Sequence, residues 1–174
     1  MLGTKPRTLA TLLAATLAFS AFGCARARFE GTKFRDAELT FRTGPVPEQW
    51  HRIEVSEARL AFRDDQTGAL VAVGGRCDRD GDDVPLEALT QHLFLQFTDR
   101  TILDQTLLSL DGREALRTEL TAKLDGVPRG FVVVVLKKDG CVYDFMLIAP
   151  PDAIPDASPP FNRFVLGFAA LRRP

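Results

Sequence analysis

The stretch Phe131-Val132-Val133-Val134-Val135-Leu136-Lys137-Lys138-Asp139-Gly140-Cys141-Val142-Tyr143-Asp144-Phe145-Met146-Leu147-Ile148-Ala149 decides the fold. Successive side chains of a strand point to opposite faces. The unbroken apolar run Phe131–Leu136 is therefore apolar on both, which predicts a central strand with something packed on each side. Asp139-Gly140 tolerates the positive φ that a two-residue turn demands. It sends the chain back along Cys141–Ala149, a second apolar strand and the antiparallel neighbour of the first.

Working outward, Ile102–Leu110 and Arg113–Leu124 flank a second Asp-Gly pair, Asp111-Gly112. Leu116, Leu120 and Leu124 suit a helix as well as one strand face, but the Asp-Gly pairs at 111–112 and 125–126 favour a strand. Upstream, Glu38–Arg42, Trp50–Val55, Arg59–Arg63 and Ala69–Cys77 read as strands, with Gly74-Gly75 predicting a bulge or a close backbone contact. The period changes in Pro85–Thr98, where Leu86, Leu89, Leu93 and Phe97 form a helical stripe that leaves Leu95 pointing away. Asp82 or Asp83 would cap this helix. The prolines at 150, 151, 155, 159 and 160 predict a stiff loop ending at a Ser158 cap. Phe161, Phe164, Val165, Phe168 and Leu171 then make a second helical stripe. The result is an α+β fold, a mostly antiparallel sheet of about seven strands covered by helices.

The order of these elements resembles a known family. Val46-Pro47-Glu48-Gln49-Trp50 opens a strand, a helix follows the Cys77 strand, and a meander runs through Leu110-Asp111-Gly112-Arg113. The Val132–Lys138 and Val142–Ile148 hairpin and a Phe-rich closing helix complete a likeness to the PsbP-like fold, an α/β/α sandwich, over about residues 38–172. The resemblance implies an accessory or binding domain attached to a larger membrane assembly. It supplies no functional motif that transfers residue by residue.

The first 23 residues carry a different message. Lys5 and Arg7 precede an uncharged run from Thr8 to Gly23, the layout of a bacterial secretory signal. Ala21-Phe22-Gly23-Cys24 resembles a lipobox, which implies cleavage before Cys24 and acylation of that residue. Cleavage after Ala27 and an uncleaved anchor are the alternatives. Residues 1–23 then form the signal peptide, 24–37 a charged membrane tether, and 38–174 one globular domain. Ala25 rather than Asp follows the Cys, and the resemblance to enterobacterial lipoproteins implies sorting to the outer membrane over the inner.

Composition narrows function. The chain is 45% hydrophobic and 26% charged, with 22 basic and 23 acidic residues, so it has no basic field for nucleic acid. Two His and three Cys give little material for zinc chemistry. With Cys24 committed to lipid, Cys77 and Cys141 can form one disulfide in an oxidising compartment, or remain two buried thiols. They meet if their strands are antiparallel neighbours, because Cys77 ends one and Cys141 begins the other.

Asp78, Asp80 and Asp82 alternate as Ca²⁺ ligands would, although Asp83 and Leu89 stand where an EF-hand has Gly and Glu, and a solvated capping turn explains them too. Asp144, inside an apolar strand, is a candidate binding residue or one member of a structural network with an Arg or backbone donor. His51 and His92 are far apart, and Ser56, Ser109 and Ser158 sit in no hydrolase motif. Trp50 and the Phe stripe read as core. The expectation is a non-catalytic envelope lipoprotein without a cofactor, membrane-bound through its N-terminal lipid and binding an envelope protein. A small-molecule or metal-ion carrier is the alternative.

Overall fold

A computed structural model describes residues 27–77 and 83–172. Its strands are β1 (Arg28–Glu30), β2 (Lys33–Arg35), β3 (Thr40–Arg42), β4 (Trp50–Ile53), β5 (Leu60–Asp64), β6 (Ala69–Arg76), β7 (Thr98–Leu110), β8 (Arg113–Leu124), β9 (Val127–Lys138), β10 (Cys141–Ala149) and β11 (Ala169–Ala170). The helices are α1 (Leu86–His92) and α2 (Ile154–Leu166). Seven strands form one antiparallel sheet in the order β4-β5-β6-β10-β9-β8-β7, and β1-β2-β3-β11 form a smaller one.

The meander from β7 to β10 is set by three Asp-Gly turns. Asp111, Asp125 and Asp139 have φ of 49°, 50° and 54°, and the glycine after each is also positive. Both central residues in that region give the turn whose twist matches the flanking strands. The register follows: Leu110 faces Arg113, Leu124 faces Val127, and Lys138 faces Cys141.

β9 is central, and Phe131 to Leu136 are each at most 1% exposed. Val132, Val134 and Leu136 join Tyr143, Phe145 and Leu147 in a core capped by α2 and the small sheet. Phe131, Val133 and Val135 join Leu89, Phe94 and Leu120 in a second core under α1. Each fully buried side chain of this size contributes roughly 1.5–3 kcal/mol, so this strand anchors both layers.

The structure corrects the sequence expectations at three places. The segment expected to be a tether is folded in part: β1 and β2 alternate charged residues with Phe29 and Phe34, and Phe34 is wholly buried against Phe41. The charges dominate the composition there, but the two phenylalanines sit on one face of the hairpin.

The first helix is shorter than expected. On a regular helix Phe94 would lie about 80° from Leu86. Tighter turns at 93–97 instead bring both Phe94 and Phe97 onto Phe131, with ring centroids 5.3 and 5.1 Å away. Pro85 occupies its N-cap with no side-chain cap, so Asp83 does not cap it.

α2 starts at Ile154 rather than after Ser158, with Pro159 and Pro160 inside it. Two backbone donors are lost there. Ser158 Oγ donates to the Ile154 carbonyl at 2.7 Å, and burial of Ala157 and Pro160 favours the helix. Of the two readings of Gly74-Gly75, close contact is the one present: β6 pairs with β10 without a bulge, and Asp144 and Leu39 lie against the two glycines.

Candidate functional site

Three features of the sheet carry chemistry or recognition. The first is at the end of the β6/β10 pair. Val142 faces Arg76, which puts Cys141 opposite Cys77, and the two are joined in a disulfide with Cα atoms 4.0 Å apart and 64 positions of sequence between them. The antiparallel pairing that the sequence required for this bridge is present. Cys77 is exposed and Cys141 half-buried.

The second feature is Asp144, which faces Gly74 across one strand pair and Val135 across the other. A Cβ at Gly74 would lie 2.2 Å from Asp144 Oδ2, so the carboxylate rests over a position only glycine leaves open. Burial pushes the Asp144 carboxyl above the usual carboxylate range. The Arg76 charge and a hydrogen bond from the Gly74 N–H pull it partly back. These partners are of the Arg-and-backbone kind the sequence allowed.

The third feature was missed by sequence reasoning. β7 is one margin of the large sheet, and Ile102, Leu103 and Leu107 on it are 53%, 63% and 54% exposed. α1 packs over β8 and β9. Between its C-terminal end and β7 lies a groove of about 220 Å³ whose apolar lining is Phe94, Ile102 and Leu120. The signal was available in Ile102-Leu103-Asp104-Gln105-Thr106-Leu107-Leu108. Apolar residues there take both parities, and no proline or lysine guards the run.

The remaining candidates fall elsewhere. Cys24, Asp78, Asp80 and Asp82 lie outside the described residues. His51 meets Asp65 at 3.6 Å on the surface, and His92 is exposed at the end of α1. Trp50 is core, packed against Phe62 and Phe164, with its indole N–H unpartnered among the described residues. Among those residues no group of three His, Cys, Asp or Glu could hold a metal, and no helix is long and apolar enough to cross a membrane.

No family model matches the chain, and no curated protein matches its sequence. Solved structures do share its fold. Cyanobacterial PsbP from Synechocystis sp. PCC 6803 is 15% identical, with a TM-score of 0.56 over 79% of this chain and 95% of that one. LpqN of Mycobacterium tuberculosis, described as involved in cell envelope biogenesis, is 16% identical, with a TM-score of 0.53 over 77% and 86%. A Pseudomonas aeruginosa protein of unknown function is 12% identical, with a TM-score of 0.50 over 87% and 99%. At these identities the likeness establishes the fold, a mostly-sheet α+β sandwich of the PsbP-like kind.

Proposed function

We propose that this chain is a non-catalytic lipoprotein of the bacterial envelope, a tethered domain that binds a protein of a membrane-associated assembly. The observation that carries the reading is Ile102 and Leu107, both more than half exposed on one face of β7 at the margin of the sheet, with Leu103 exposed between them. Grouped exposed apolar side chains mark interaction sites, whereas scattered ones do not. The lipobox-like Ala21-Phe22-Gly23-Cys24 supports the anchor. Each buried acyl methylene contributes about 0.8 kcal/mol, so several chains hold a protein at the surface. Ala25 supports the outer membrane, and the fold shared with an envelope-biogenesis protein is compatible with this address.

The test is chemical crosslinking in native envelopes, followed by capture of the chain and identification of what is joined to it. The expected result is the same one or few envelope proteins in independent preparations. Repeated recovery of the chain with no specific partner contradicts the reading. The second reading is a small-molecule or ion carrier; its candidate group is Asp144, a carboxyl inside an apolar strand that Arg76 and the Gly74 N–H already serve as partners. Native mass spectrometry of protein purified from its own envelope separates the two: a stoichiometric ligand or ion selects the carrier.

A further inference from the structure

We infer that the free edge of β7 takes an added β-strand, an extended segment of a partner protein that sets one large apolar side chain into the groove between β7 and α1. The inference rests on the binding-domain reading above and specifies its surface. A strand at the margin of a sheet presents a row of unpaired N–H and C=O groups. The large sheet treats its two margins differently. β4 has only four residues and includes His51 and Arg52, a short and charged edge. β7 has thirteen residues. From Asp104 to Leu110 it pairs with β8 in unbroken register, and only Asp104 is charged. Short length, charge and β-bulges all blunt an edge; this stretch of β7 is seven residues long with one charge at its start, and the register shifts of β7 lie before it.

The side chains beside that edge fit an incoming strand. Ile102, Gln105 and Leu107 face Leu120, Thr118 and Leu116 across the β7/β8 pair, so they stand on the face that α1 covers. Around the groove, Gln105 Nε2 already donates to Thr118 Oγ1 at 3.1 Å, and Arg100 Nη1 to the Phe94 carbonyl at 3.2 Å. Of the groove's apolar lining, Phe94 and Leu120 are buried and Ile102 is exposed, so the apolar surface left to cover is that of Ile102, which selects an apolar side chain. Strand addition works in this way: main-chain hydrogen bonds supply affinity, and pockets for alternate side chains supply specificity.

Area argues against a second copy of this chain as the occupant. Self-pairing along the regular stretch would engage about seven residues a side, against about 20–30 a side in a stable interface between folded proteins. The register shifts between Thr98 and Thr101 and between Ile102 and Asp104 bend the rest of the edge away from a straight partner. A single extended segment tolerates both limits, because it follows the bend and has no second globule to seat.

The test uses the full-length protein and a synthetic peptide of about ten residues, the length of a long strand, alternating valine with threonine around one phenylalanine between terminal lysines. Hydrogen-exchange mass spectrometry should show slowed exchange within Thr98–Leu110 as peptide is added. The same peptide with alternate amides N-methylated, unable to complete the ladder, should give none. Ile102→Glu and Leu107→Lys should each weaken binding about tenfold while leaving the melting temperature of the free protein in place, since both side chains are exposed. Absence of protection at millimolar peptide overturns the inference. Protection that rises with protein concentration alone also overturns it, in favour of a second copy. A partner recovered from crosslinked envelopes alongside a silent edge would leave the binding-domain reading standing and this surface refuted, whereas edge protection without any partner would do the reverse.

Discussion

Removing the Cys77–Cys141 bridge by the double substitution Cys77→Ser, Cys141→Ser has an effect that can be worked from the topology. The two residues are held side by side in the native sheet by the continuous β6/β10 register from Arg76–Val142 to Leu70–Ile148, so the folded structure keeps its pairing without the bond. The loss falls on the unfolded chain. A sequence separation of 64 corresponds, on the chain-entropy model, to about 4 kcal/mol at 25 °C. For a protein of this size each kcal/mol moves the melting temperature by about 2–4 °C, so a fall of about 10 °C is expected. The assay is thermal unfolding of the wild type with and without reductant, beside the double variant. The variant should melt low and ignore reductant, and the reduced wild type should coincide with it. A difference of less than about 2 °C would refute the reasoning, since it would mean that the bridge removes far less unfolded-state freedom than its loop length requires.

Asp144→Asn should raise stability near neutral pH. The folded-state pKa of Asp144 lies above its ordinary 3.8, so the folded protein binds the extra proton more tightly than the unfolded chain between those values. The wild type therefore loses stability as pH rises through that window, and the advantage of the variant should shrink as pH falls towards 3.8. Melting curves across that range check it, and an advantage independent of pH would contradict it. Phe131→Ala removes a ring that is 1% exposed and meets both Phe94 and Phe97, and should cost about 3–5 kcal/mol in urea unfolding. Labelling with a clickable fatty acid should mark the wild type and spare Cys24→Ser; equal labelling of both contradicts lipidation there.

The sequence was most legible where local chemistry and long-range packing agree. Three Asp-Gly pairs fixed the hairpins from β7 to β10 because both residues of each pair adopt positive φ at little steric cost. Val132 to Val135 declared a two-sided burial that only a central strand satisfies. It was least legible where tertiary burial overrides a local preference. Pro159 and Pro160 argue against a helix, yet α2 contains them because Ala157, Pro160, Phe161 and Phe164 share the face that fills the core. Arg28, Lys33 and Arg35 suggest a solvated tether, yet Phe29 and Phe34 between them build the small sheet that covers one face. The candidate site divides in the same way. The disulfide and the buried carboxylate follow from strand positions, whereas the β7 margin depends on which strand ends up outermost. That is a property of sheet order: the unguarded run Ile102–Leu108 marks a strand fit to be an edge, and the pairing of the other strands places it outermost.

The central claim is that β7 is the contact edge, and photocrosslinking from single positions in living cells tests it most directly. A photoreactive residue placed at Leu107 should give a discrete adduct with an envelope protein, while the same residue at Arg52, on the opposite margin, should give none. Adducts at Arg52 with none at Leu107, or an equal smear from both, would contradict the account.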